Sequence, residues 1–404
     1  MQDLELKTIT PTSAEEASAI LRAAWEKNLA INIQGGGTRQ YIGNLSTVKP
    51  TITLSTLKLN KLIAYEPSDL TITLQAGARW SEVKKILTER GQWIPLDITE
   101  LPDSTVGGVV ATNVSGPKRL LYGTLRDLVI GCEFVLADGS LGHNGGRVVK
   151  NVTGYDLHKL LIGSLGTLGL LTEVTFKVLP LPQASRWFIA HFSSYEKALE
   201  TARKLARSNN SPSALELIAE SSSKVALYGA ADGVEVAVIS QIENMVALCK
   251  ANGAAEVNLV TESAEAHATW EKLRNLSQGY TVNLRFSVLP LDIPLAWKLA
   301  SKIAGQLEMS AELQARAGTG LVYLYGDLEE EQFKDAAELI EQARSQIQAR
   351  GGSLVLEKAP DGLKKLVEVW GNPGGTNSLT SMQVLKNSLD SKGLLNPGKF
   401  LKGL

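Results

Sequence analysis

The residues best suited to chemistry lie in three glycine-rich segments. The first, Gln34-Gly35-Gly36-Gly37-Thr38-Arg39, follows a short apolar run at residues 30–33. Glycines tolerate positive φ, so successive backbone N–H groups can turn into one concavity, a geometry that suits a diphosphate. The spacing is not the G-x-G-x-x-G dinucleotide fingerprint: counted from Gly35, the third glycine falls on Gln40. The second segment runs from Pro102 to Gly116 and is built almost wholly of small residues. Bare backbone there can approach a flat ring or a phosphate, and Ser104, Thr105, Asn113 and Ser115 offer hydrogen-bonding side chains. The third is Gly154-Tyr155-Asp156, then Gly163, Gly166 and Gly169 at three-residue spacing ahead of an apolar run. Each alone also reads as a plain turn; their succession is what points to a ligand.

Other chemistries find little support. His143, His158, His191 and His267 stand far apart and form no H-x-H, H-x-x-H or H-E-x-x-H motif, so no metal site is expected. Cys132 and Cys249 are isolated, which suggests two buried thiols rather than a disulfide, a zinc site or an iron–sulfur centre. No G-x-S-x-G elbow occurs. Arg285 stands mid-strand in an apolar run and is the candidate cation for a substrate carboxylate, or else an ordinary ion-pair partner. No residue presents itself as a base.

The elements that must position these residues follow from periodicity. Residues 13–28 read as a helix opened by a Ser13–Glu16 capping box. Residues 30–33, 51–54 and 71–75 read as strands, 81–90 as a helix stopped by Gly91, and 129–137 and 170–179 as strands. After Pro182 glycine-rich loops give way to alternation. Strands are expected at 187–192, 214–218, 234–239, 281–288 and 321–325, and helices at 195–207, 243–251, 295–307 and 329–350. Such alternation suggests a sheet with helices on one face. Residues 371–375 are linker-like, and a helix at 379–392 precedes the tail.

A net charge of −1 leaves no basic field for nucleic acid. No apolar run is long enough for an integral membrane segment. The first seven residues carry Asp3 and Glu5 and do not read as a signal peptide. The expectation is a cytoplasmic protein, peripheral to a membrane at most through partners.

The glycine segments, in this order, resemble the FAD-binding domain of the vanillyl-alcohol oxidase or PCMH type. The matching text is GGGT from Gly35, STVGGVVATNVSG from Ser104, YGTLRDLVIGCEFVLADG from Tyr122, GYDLHKLLIGSLGTLGLLTEVTFKVLP from Gly154 and LLNPGKF from Leu394. The resemblance covers residues 5–182 and 379–404. Within that family the text is most similar to the FAD-binding E subunit of glycolate oxidase, including the stretch from Arg147 to Asp156 and the run from Asn283 to Val288.

The resemblance implies an α+β fold: a two-subdomain PCMH-type FAD-binding domain at 1–182, an inserted α/β cap domain at 183–378, and a segment at 379–404 that returns to the FAD domain. It implies that Gly35, Gly36, Gly37 and Thr38 cradle the pyrophosphate, and that Thr105, Gly107, Gly108, Asn113, Ser115 and Gly116 line the pyrophosphate and isoalloxazine side. Gly166, Thr167, Leu171 and Thr172 would meet the ribityl chain and adenosine half, and Asn396, Pro397, Gly398 and Lys399 would close the flavin end. Many relatives attach the flavin through a histidine near the first glycine loop; here Arg39 and Tyr41 stand there, so non-covalent FAD is expected. The implied function is an FAD-dependent oxidoreductase subunit of the glycolate dehydrogenase type. It would oxidise a small 2-hydroxy acid and act with a D-like flavin subunit and an iron–sulfur subunit. The paired histidines that the D-like subunits carry are missing, so a non-catalytic FAD-binding or assembly subunit is the alternative. A stand-alone oxidase of another alcohol is a third reading.

Overall fold

The structure is a computed structural model that describes residues 7–147, 155–220, 224–260, 263–371 and 376–404. Most of the 147–156 stretch and of the 371–375 loop therefore lies outside the described residues. The chain divides into two compact units. The first comprises Met1–Ser115, Gly123–Leu181 and Gly375–Leu404; the second comprises Gly116–Tyr122 and Pro182–Gly374. Residues 116–122, which fall inside the first segment expected from sequence, thus belong with the second unit.

The first unit is built on two sheets. Its small sheet is parallel, with Ile52–Ser55 between Lys7–Ile9 and Ile31–Gln34. Helix Ala14–Glu26 covers it with Ala17, Leu21 and Ala24 packed beside Ile31 and Leu54. The Ser13 hydroxyl accepts the Glu16 N–H at 3.2 Å. The Glu16 carboxylate reaches one residue further than a capping box would, to the N–H and hydroxyl of Thr12. The larger sheet is antiparallel, in the order Leu62–Glu66, Thr71–Gln75, Leu170–Lys177, Val129–Val135, Leu141–Gly145. Ile72, Leu74, Val174 and Phe176 pack with Trp80, Val83 and Leu87 of helix Trp80–Thr88. Part of the second glycine segment is not a loop. It forms helix Val106–Thr112, whose Val106, Val109 and Val110 join the same core.

The second unit is an eight-stranded antiparallel sheet. Its order is Glu256–Val260, Ala184–Phe192, Val225–Gly233, Ala214–Ala219, Ala311–Arg316, Leu321–Gly326, Val282–Ser287, Ser353–Lys358. Period-2 alternation sends Phe188, Ala190, Phe192, Leu284 and Phe286 to one face, under helices Tyr195–Ala206, Glu235–Ala251, Ile293–Gln306 and Phe333–Gln348. Trp187, Tyr228, Tyr323 and Tyr325 go to the other, where Ala266 and Leu273 of helix Ser263–Asn275 pack. Residues 234–239, expected as a strand, lie at the start of helix Glu235–Ala251. The alternating valines imitate a strand, but the buried set is Val238, Ile242, Met245, Val246 and Cys249, which has helical spacing, and Val236 is 78% exposed.

Cys132 and Cys249 are both buried and free. Burial pushes each thiol up to about 12. Neither thiol should therefore react with an aromatic disulfide reagent in the native protein, and both should react once it is unfolded. Rapid labelling of the folded chain would contradict this burial.

The chain's end rejoins the first unit. After helix Thr376–Leu389, the Leu394 carbonyl accepts the Ile31 N–H at 2.8 Å and the Asn396 N–H donates to the Ile31 carbonyl at 2.9 Å. Leu395 thereby sits beside the small sheet and is fully buried in its core. Lys386 holds this return. Its buried ammonium donates to the Thr167 carbonyl and to Asp390, each at 2.7 Å. Asp390 in turn accepts the N–H groups of Leu394 and Leu395. Both buried charges are thus paired and hydrogen-bonded.

Candidate cofactor site

A single cleft in the first unit gathers the glycine segments. It encloses about 780 Å3 including its open mouth, within the range of ligand sites. Six structural pieces meet there. Strand Ile31–Gln34 delivers Ile33, Gln34 and the loop from Gly35 to Ile42; Thr56 and Ala76 follow strands Ile52–Ser55 and Thr71–Gln75. Helix Val106–Thr112 contributes Gly107, Gly108, Ala111 and Thr112, with Thr105 just before it. Ser164, Leu165 and Gly166 come with the start of strand Leu170–Lys177, and Asn396 and Lys399 come from the tail.

The glycines differ in why they are glycines. A Cβ on Gly35 would lie 2.1 Å from the Thr105 hydroxyl oxygen, and one on Gly36 would lie 1.8 Å from the Asp103 carbonyl oxygen. The first loop is therefore pressed against residues 103–105, and Gly37 adds a left-handed φ of 71°. Gly107 is required by contact with Ala76. Gly108 is not required by the fold. It has helical backbone, and a Cβ there would meet only the Thr105 hydroxyl, at 3.1 Å. Its missing side chain leaves room in the cleft.

Hydrogen bonds divide the segments further. The N–H groups of Val106, Gly107 and Gly108 are taken by the Ala78 carbonyl, the Ala76 carbonyl and the Thr105 hydroxyl. Those of Leu165, Gly166 and Thr167 are taken by Ala111, Ser164 Oγ and the Ser164 carbonyl. Among the described residues, the N–H groups of Gly35, Gly36, Gly37 and Thr38 have no acceptor within the chain. The cleft's spare backbone donors are thus concentrated in the first glycine loop, a donor set that fits a diphosphate. Arg39 lies on the same wall and is 9% exposed. Residues 105–108 and 164–166 instead supply shape.

Of the residues singled out from sequence, Gly35, Gly36, Gly37, Thr38, Thr105, Gly107, Gly108, Gly166, Leu171, Asn396 and Lys399 line this one cleft. Others stand off it. Asn113 ends helix Val106–Thr112 with φ 50°, and its side chain is exposed. Ser115 and Gly116 lie beyond that helix. Thr167 is held by its hydroxyl on the Ser164 carbonyl, and Thr172 gives its carbonyl to the Ala76 N–H. The Thr172 hydroxyl is buried without a partner among the described residues. Gly398, at φ 83°, packs on Thr47, and the Pro397 carbonyl accepts the Thr47 N–H. Ile33, Thr56, Ala76, Ala111 and Thr112 line the cleft without having been legible as site residues.

Arg285 belongs to the second unit. It sits on strand Val282–Ser287 on the aromatic face of the sheet, ion-paired to Glu357 and hydrogen-bonded to Ser287. Burial opposes its charge, but Glu357, by charge and hydrogen bond, and Tyr323 together outweigh this, so its pKa lies above the ordinary value. Tyr323 is its cross-strand neighbour, and Arg316 lies over that ring at 4.9 Å. Glu216 flanks Arg316 as Glu357 flanks Arg285, so the two arginines are already neutralised. The histidines stay separate: His158 bonds Asn144, His191 pairs with Glu220 and His267 with Glu271. Among the described residues, no three His, Cys, Asp or Glu side chains are placed to hold a metal ion.

Comparison with known proteins matches this architecture. The FAD binding domain model matches residues 6–144, and the model of the C-terminal domain of FAD linked oxidases matches residues 181–400. Glycolate oxidase subunit GlcD of Bacillus subtilis (strain 168) is 29% identical over 99% of this chain and 89% of its own length. D-lactate dehydrogenase of Archaeoglobus fulgidus is 27% identical over 98% and 91%. Rat mitochondrial D-2-hydroxyglutarate dehydrogenase is 37% identical, over 48% of this chain and 36% of its own. The solved structure of 4-ethylphenol oxidase from Gulosibacter chungangensis shares the fold, with a TM-score of 0.74 at 16% identity over 97% of this chain and 88% of that one. The second family model alone spans more than half of the sequence, the glycine cleft fits the cofactor, and the chain belongs to the FAD-linked oxidases, as an FAD-dependent oxidoreductase.

Proposed function

We propose that this chain is a subunit of the glycolate dehydrogenase type that acts on a small 2-hydroxy acid and passes electrons to a partner subunit. The supporting observation is full-length similarity to a glycolate oxidase subunit and to D-lactate dehydrogenases, combined with a cleft that fits FAD. The first glycine loop would hold the pyrophosphate, and helix Val106–Thr112 would leave space through Gly108. Bound FAD supplies the two-electron acceptor. Arg285 is the proposed anchor for a substrate carboxylate, in exchange for its bond to Glu357.

That prior pairing favours a second reading as well. A carboxylate must displace Glu357 to reach Arg285, and the histidines lie singly, so the chain would serve as the FAD-binding partner of a catalytic D-like subunit. Assaying the FAD-loaded chain with glycolate, D-lactate and a dye acceptor separates the two. Flavin bleaching by the chain alone supports the first. Bleaching only after a D-like subunit is added supports the second, and no bleaching in either mixture overturns both.

The flavin is proposed to be non-covalent, because Thr38, Arg39 and Tyr41 rather than a histidine follow the glycines. Acid precipitation should leave all the yellow colour in the supernatant. Flavin fluorescence in the washed pellet would refute this.

A further inference from the structure

We infer that Arg39 is the counter-charge for the diphosphate of bound FAD. It follows directly on Gly35–Thr38, whose N–H groups have no acceptor among the described residues, and it lines the same cleft. Its guanidinium is buried and bonds only neutral acceptors: Nη1 donates to the Ser104 hydroxyl at 2.9 Å and Nη2 to the Thr99 carbonyl at 2.8 Å. No carboxylate among the described residues lies within ion-pair distance of it. Other buried cations are treated differently: Lys386 meets Asp390, and in the second unit Lys118 meets Asp232 and Arg344 meets Glu341.

Burial without an anion is costly for a guanidinium and lowers its pKa. A strut between the first glycine loop and residues 99–104 would need no charge, since a neutral amide could make both bonds. The arrangement is economical only if an anion completes it. Arg39 has five donors, of which the chain uses two. The diphosphate is the group that the adjoining N–H donors fit, so the same oxygens can accept from loop and guanidinium together.

The test is binding, not turnover. Apo-protein is titrated with FAD, with ADP as the diphosphate half and with riboflavin as the ring half, at low and high salt. Arg39→Gln should weaken FAD and ADP alike, by roughly 10- to 100-fold, the usual worth of a hydrogen bond to a charged group. It should leave riboflavin unchanged and flatten the salt dependence of FAD binding. A variant that loses riboflavin while keeping ADP would place Arg39 on the ring instead. Equal weakening of all three ligands, with a matching fall in the apo-protein's melting temperature, would make it a strut and overturn the inference. If Arg39→Gln fails to fold, Arg39→Lys and the wild-type salt titration decide. Lysine should keep ADP binding within a few-fold, and salt-independent FAD binding by the wild type would refute the proposal.

Discussion

Replacing Gly108 with valine raises the dissociation constant for FAD by roughly 100-fold or more, and leaves the apo-protein's melting temperature within a few degrees of wild type. Gly108 is helical, faces the cleft and has only the Thr105 hydroxyl near its missing side chain. A valine there occupies ligand space rather than protein space. Its effect on the helix itself is small, because glycine and valine are both weak helix formers, within about 0.5 kcal/mol of each other. Gly107→Val is the contrasting variant. Its Cβ would sit 2.8 Å from the Ala76 Cβ and 3.0 Å from the Ala76 carbonyl oxygen, so it should destabilise the chain with or without FAD. Thermal melts of both apo-proteins and FAD titration by flavin fluorescence check the pair. Full FAD occupancy in Gly108→Val would show that the helix does not face the cofactor.

What was legible in the sequence depended on how local its cause was. Gly35, Gly36 and Gly37 could be read because close approach and positive φ leave glycine as the residue that fits. Thr71–Gln75 could be read because its β-branched run is buried along most of its length. The edge strands Leu62–Glu66 and Leu141–Gly145 went unread: the first is apolar but without period-2 alternation and partly exposed, and the second carries two glycines among polar residues. Helix Val106–Thr112 was hidden by its two glycines; the backbone of residues 76–80 secures its first turn, which no local propensity reveals. The same limit applies to the cleft. Ala76, Thr56 and Ala111 line it only because distant strands and a helix converge. Arg285 stood out as a cation in an apolar run, but its partner Glu357 is 72 residues away in sequence.

Asn396→Ala should cost roughly 3 kcal/mol of stability and weaken FAD binding as well. The Asn396 side chain stands in for a strand. Its carbonyl oxygen accepts the Ile33 N–H at 2.6 Å, and its amide donates to the Leu165 carbonyl at 2.6 Å and the Ile33 carbonyl at 3.3 Å. Its φ of 42° is left-handed, which asparagine tolerates better than most side chains. Alanine strains that backbone and leaves a donor and an acceptor unpaired in a buried setting, at about 1–3 kcal/mol each. Ile33, Leu165 and Asn396 all line the cleft, so loosening their junction should reach the cofactor. Asn396→Asp keeps an acceptor for Ile33 but loses the donor to Leu165, and should fall between wild type and alanine. Removing residues 393–404 is a blunter test, because it also strips the fully buried Leu395 from the small sheet's core. In that truncation, stability and FAD affinity should fall together. Urea unfolding of each apo-protein, with FAD titration under folded conditions, measures both losses. Stability of Asn396→Ala within about 0.5 kcal/mol of wild type, the range of an ordinary surface substitution, would show that the tail's side-chain bonds do not hold the sheet.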